Sequence, residues 1–289
     1  MEMMEKALFI TAVKNLKNIT PRYNRVYFGN EFCEKLIPQL DKLKEIVAHC
    51  SKKNLGFSLV TPYVTNSGLE KLEKLFLWLK SNKINCEVII NDYGVLDLIN
   101  EKYHILSPVL GRLLTKQKRD PRILNLIKRK SEKYRFFKKD NEYNVILEKK
   151  IPDALISYFK ETNINVPVVQ NFLRDYRIAR VEIDNLLQGM NLRIPKRDFC
   201  ISLYVPYGYI TTTRRCSANP FRNEKRFFCR ISHCRKECKI YSLKLRNKYL
   251  PLTYKKGNTI FFKNNRIPSQ KELIGKGINR VVYQPEIPF

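Results

Sequence analysis

The sequence predicts an α/β fold: a (β/α)-barrel of the TIM type, complete or distorted, with a basic insertion and a cysteine-rich loop towards the C-terminus. Three observations predict it. Short apolar runs alternate with amphipathic helical stretches through the first hundred or so residues, the pattern of βαβ units and a parallel sheet. Such units continue towards the C-terminus, which favours a barrel over an open doubly wound sheet. No G-x-G-x-x-G follows a strand-like run, so a dinucleotide-binding sheet has no support. With 289 residues, 44% of them hydrophobic, the chain can bury a substantial core. The expected organisation is a single barrel-like domain over residues 1–289, a basic helical insertion at 112–150, and a cluster-binding loop with C-terminal strands at 214–289.

The elements follow in order. Residues 7–13 (ALFITAV) and 25–29 (RVYFG) are short apolar runs, read as buried strands. Leu36, Leu40, Leu43, Ile46 and Val47 mark one face of a helix ending near Cys50. Residues 57–60 form the next strand. Asn66 or Ser67 can cap the following helix, whose stripe is Leu69, Leu72, Leu75, Phe76 and Leu79. Residues 86–90 (CEVII) are a strand, followed by Asn91, Asp92 and Gly94 and a short helix over 95–100. Barrel chemistry sits where strands end. Asp92 is therefore the candidate catalytic residue, to position substrate or carry a proton. Capping the next helix is the plainer role for a lone aspartate.

Residues 112–139 (RLLTKQKRDPRILNLIKRKSEKYRFFKK) depart from this pattern. Basic side chains alternate with Leu, Ile, Tyr134, Phe136 and Phe137. Arg112, Lys116, Lys118, Arg119, Lys128, Arg129, Lys130 and Arg135 are candidates to neutralise phosphates while the aromatics stack on bases. The alternative is a solvated amphipathic helix packed on the barrel through its Leu and Ile. Residues 152–161 then read as a helix with proline in its first turn. Residues 166–169, 178–183 and 199–205 read as strands. Residues 250–254 and 259–262 flank Lys255-Lys256-Gly257-Asn258 as a hairpin, and 280–283 is a last strand.

Net charge is +28, from 55 basic and 27 acidic residues. A lysine-rich composition that only keeps a protein in solution should carry more acid. The imbalance therefore points to a polyanion partner, most simply RNA or DNA. No apolar run of about 18 residues occurs, so no membrane span is expected. The opening MEMMEKALFITAV has neither the apolar core nor the cleavage site of a secretory signal, so a cytoplasmic, reducing setting is expected.

Four of the eight cysteines fall in residues 216–238, CSANPFRNEKRFFCRISHCRKEC, spaced C-x12-C-x4-C-x3-C. Clustered thiols without a secretory signal point to metal, as an iron–sulfur cluster or, alternatively, zinc. Disulfides and unrelated thiols are the remaining readings. Neighbouring Arg and Lys would lower the thiol pKa values. Paired C-x2-C zinc knuckles are absent, and so are ferredoxin spacing and the C-x3-C-x2-C of radical enzymes. By spacing alone the ligands are Cys216, Cys229, Cys234 and Cys238, the last two sharing a face if that segment is helical. His233 is a possible substitute ligand, though a solvated histidine is the plainer reading. Cys50, Cys86 and Cys200 read as core residues. There is no H-E-x-x-H, G-x-S-x-G or Walker loop, and only three histidines, so a histidine-driven hydrolase is poorly supported.

RVYFGNEFC at 25–33, NDYGVLDLI at 91–99 and the late cysteines after LYVPYGYITTTRRC at 203–216 resemble the collagenase-like peptidase family, family U thirty-two. The resemblance runs from residue 6 to 245, interrupted by the basic segment, and is closest in layout to the family's short ubiquinone-pathway iron–sulfur member. It implies a (β/α)-barrel with a [4Fe–4S] cluster held by four cysteines. It implies oxygen-independent hydroxylation, on RNA in some members and on a quinone ring in others. By that resemblance Cys33, following Tyr27-Phe28-Gly29, joins Cys216, Cys229 and Cys234, leaving Cys238 as the spare thiol. A second family member as heterodimer partner is implied too. The expected function is RNA modification by oxygen-independent hydroxylation. The alternatives are an accessory role in quinone-ring hydroxylation and a zinc-stabilised nucleic-acid-binding protein without catalysis. A protease is disfavoured, because no nucleophile–base pair can be named.

Overall fold

The computed structural model describes residues 4–127, 131–138, 141–148, 151–194, 199–214, 216, 234–247 and 250–289. In chain order the strands are β1 (Glu5–Ile10), β2 (Arg25–Gly29), β3 (Gly56–Val60), β4 (Glu87–Ile90), β5 (Ser107–Leu110), β6 (Ser131–Lys138), β7 (Asn141–Glu148), β8 (Arg180–Asp184), β9 (Cys200–Val205), β10 (Tyr207–Thr212), β11 (Leu243–Asn247), β12 (Leu250–Lys256), β13 (Thr259–Lys263) and β14 (Ile278–Tyr283). The helices are α1 (Leu40–Lys52), α2 (Asn66–Ser81), α3 (Tyr93–Lys102), α4 (Ile123–Ile127), α5 (Asp153–Lys160), α6 (Pro167–Asp175) and α7 (Gln270–Gly275).

Eight strands close into a parallel barrel in the order β1-β14-β9-β8-β5-β4-β3-β2. Their alternation explains the closure. Ala7, Phe9, Tyr27, Val60, Ile89, Val109, Tyr204 and Val282 form the interior cluster. The residues between them, such as Leu8, Val26, Leu59 and Val88, belong to the larger core with the helices. Leu72, Leu75, Phe76 and Leu79 of α2 are buried there, each stabilising by about 1.5–3 kcal/mol.

Several expectations are corrected. Residues 166–169 are not a strand: Pro167 opens α6 at its first position, and Val168 is 69% exposed. An unbroken apolar run does not distinguish strand from helix by periodicity. The 112–150 insertion is not helical throughout. It holds the short α4 and an antiparallel hairpin of β6 and β7. The chain makes this excursion between β5 and β8, which meet at one residue pair, Leu110 with Val181. The cap before α2 is Thr65, not Asn66 or Ser67, and its N–H and hydroxyl both donate to Glu34.

The hairpin over 250–262 is present, with Gly257 at φ 57° in its turn. It lies outside the barrel, in an antiparallel sheet ordered β10-β13-β12-β11. This sheet roofs the C-terminal mouth. Tyr209 and Phe261 from the sheet pack with Phe32 and Leu113 from the loops after β2 and β5, and with Phe289. Among the described residues no helix is long and apolar enough to cross a membrane.

Candidate metal centre

The loop after β2 carries Cys33, and four devices shape it. Gly29 has φ 141°, and a Cβ there would stand 2.1 Å from the Val60 carbonyl oxygen, so glycine is required. Asn30 is buried and accepts from the N–H groups of Phe32 and Cys33, both at 2.9 Å. Glu34 accepts from Thr65 at 2.7 and 2.8 Å, tying the loop to α2.

The fourth device is a buried charge network. Glu31 takes both its oxygens to Arg112, whose Nη2 lies 2.6 Å from Oε2. Arg112 also donates to Asp184 at 2.7 Å and to the Tyr207 carbonyl at 2.9 Å. Asp184 accepts from Arg119 at 2.6 Å through its other oxygen. The two arginines cover the rings of Tyr204 and Tyr209 at 4.3 and 4.2 Å. Removing one member would leave a buried charge unpaired, at a cost of about 3–5 kcal/mol.

The late loop meets Cys33 on this rim. Cys216 follows β10 and packs in the same cluster as Cys33 and Phe32. Cys238 is 4% exposed, within a turn over Glu237–Lys239, and belongs to that cluster too. Cys234 lies just before the turn, so no regular helix places it on one face with Cys238. Burial pushes the Cys33 thiol up; a backbone hydrogen bond at Lys35 opposes this, and Cys234 and Cys216 add to the rise. Cys238 is pushed up to about 11, by burial first and then by Cys216, Cys33 and Cys234. The expected lowering by neighbouring cations is therefore not found at these two thiols. Burial and mutual repulsion of thiolates outweigh it.

Cys33, Cys216, Cys234 and Cys238 thus share one place. Cys229 and His233 lie outside the described residues. Among the described residues no three His, Cys, Asp or Glu side chains are grouped to hold a single ion. The donor chemistry, sulfur alone, suits an iron–sulfur cluster or a structural zinc.

Other candidates stand elsewhere. Asp92 caps α3, accepting from Gly94 at 2.8 Å and from Val64 at 3.1 Å. Arg112 and Arg119 are buried in the charge network, so they cannot meet phosphates as expected. Lys116 is exposed, and half-buried Lys118 lies 4.1 Å over the Tyr158 ring. Lys128, Arg129 and Lys130 and the side chain of Arg135 lie outside the described residues. Cys50 and Cys86 are core, whereas Cys200 is half-buried at the opposite rim and accepts from Asn279 at 3.1 Å. The sequence reading missed Glu31, Tyr63 and Asn258. A buried role for Glu31 leaves no local signal, because its partner Arg112 is remote in sequence.

Fold and site together define an α/β barrel whose C-terminal mouth is roofed by a sheet and edged by converging thiols. A solved structure of similar layout is described as the U32 peptidase Mk0906. It shares 9% identity over 99% of this chain and 94% of that chain, at a TM-score of 0.45. No protein-family model and no curated protein match the chain.

Proposed function

We propose that the protein binds a [4Fe–4S] cluster through Cys33, Cys216 and two of Cys229, Cys234 and Cys238, and serves oxygen-independent hydroxylation of RNA. The observation that carries the metal half is the meeting of Cys33, from the first quarter of the chain, with Cys216, Cys234 and Cys238 on one rim. When bound, the cluster would supply electron transfer or a Lewis-acidic iron. This chain's own residues would hold it: Asn30 and Glu31 set the Cys33 loop, and the aromatic roof keeps water from the buried side. The hydroxylation half rests on the sequence resemblance, and the RNA half on a net charge of +28. A quinone ring is the alternative substrate, and a second protein of the same family the implied partner.

Anaerobic purification with iron and acid-labile sulfide analysis tests the metal half. The wild-type chain should be brown and carry iron and sulfide in equal amounts. Cys33→Ala and Cys216→Ala should lose both, and Cys238→Ala tells whether that thiol is the spare. A colourless wild-type protein with one zinc per chain would replace this reading with zinc-stabilised nucleic-acid binding.

A further inference from the structure

Asn258 has a side-chain amide that touches both arms of the thiol site. Its Nδ2 donates to the Phe32 carbonyl at 2.8 Å, the residue before Cys33. It also donates to the Thr213 carbonyl at 2.5 Å, on the arm leading to Cys216. The Tyr63 hydroxyl accepts from it at 2.8 Å and itself donates to the Thr213 carbonyl at 2.8 Å. Two N–H bonds are thus shared among three acceptors. The Thr259 hydroxyl, 3.1 Å from Asn258 Oδ1, sets which end of the amide faces them. Asn258 is 8% exposed, so water does not compete freely.

The plain alternative is that Asn258 merely suits a hairpin turn. Lys256 pairs with Thr259, so Gly257 and Asn258 form a two-residue loop. There the unusual backbone falls on Gly257, at φ 57°, and Asn258 has no positive φ. The turn therefore does not require asparagine at its second place. The acceptors also belong to three remote segments, none of them the turn itself.

We propose that Asn258 is a positioning residue that fixes the spacing between the Cys33 and Cys216 arms, with Tyr63 as its relay. The inference rests on these two thiols serving one centre, but its test needs no metal. The metal-free full chain is treated with a short bifunctional thiol reagent, and Cys33–Cys216 bridging is measured by peptide mapping. Asn258→Asp keeps the shape, removes both donors and sets an anion against two carbonyls. Bridging should fall by roughly tenfold, the scale of one or two lost buried hydrogen bonds, with the far-UV spectrum unchanged. Equal bridging in Asn258→Asp and wild type overturns the proposal.

Should Asn258→Asp fail to fold, Tyr63→Phe decides. It removes only the hydroxyl, so lowered bridging supports the relay and unchanged bridging overturns it. Iron content is measured in parallel. A wild type that bridges well yet takes up no iron would sink the cluster reading and leave the clamp standing. A full, spectroscopically identical cluster in Asn258→Asp would sink the clamp alone.

Discussion

Glu182 shows what one residue contributes. It lies inside the barrel, fully buried, with Oε1 accepting from the Tyr27 hydroxyl at 2.9 Å. Its Oε2 has no partner among the described residues. Burial pushes its carboxyl up to about 7, although Arg280 and Arg180 pull the other way. An unfolded glutamate titrates at about 4.3. Between those values the folded state holds the extra proton, so stability falls as pH rises through that window. Glu87 behaves oppositely: burial would raise it, but Arg280 holds it at about 2, so its contribution is lost only in strong acid. The unfolding free energy of the wild type should therefore decline between pH 5 and 8, by on the order of 3 kcal/mol. Glu182→Gln should flatten that decline. Parallel slopes in the two proteins would count against a proton held on Glu182. No local pattern marks this residue, since an acid inside an apolar strand is recognisable as interior only once closure is known.

At the scale of elements, the roof sheet is the informative case. Phe261 of β13 meets Phe32 edge-on at 5.2 Å, and Phe289 stacks on Phe32 at 6.3 Å with planes 4° apart. These rings hold the sheet on the mouth and bury one side of the Cys33 loop. Phe261→Ala should cost about 3–5 kcal/mol in urea unfolding. Native-state modification of Cys33 and Cys238 should also speed up. Stability loss without faster thiol modification would mean that the roof does not shield the thiols. The hairpin itself was legible, through Gly257-Asn258 between two apolar runs. Its place on the mouth was not, because hairpin chemistry is local and docking is not. The α2 stripe was legible for the same local reason. Its cap was misread because the acceptor, Glu34, comes from the loop after β2, remote in sequence.

For the whole molecule, the charge matters most. A net +28 gives a long-range field that should draw polyanions. If the chain binds single-stranded RNA, affinity should fall by roughly three-hundredfold between about 50 and 200 mM salt, provided that about six phosphates are neutralised. Lys116→Ala should reduce the slope of that salt dependence by about one. Weak, salt-independent binding would remove the RNA reading while leaving the metal reading untouched. Arg112 and Arg119 illustrate why charge counted along a chain overstates such a surface. Each is a cation in sequence, and each is buried against Asp184.

Periodicity, composition and cysteine spacing by themselves settled the barrel class, most of its strands and the suspicion of a thiol centre. These are properties of neighbouring residues, and hydrophobic alternation is a local code. Tertiary structure alone decided that Cys238 joins Cys33 and Cys216 on one rim, that two arginines are interior, and that a sheet roofs the mouth. Each of those facts joins residues far apart in the chain, where burial and charge pairing choose the partner and no spacing rule can.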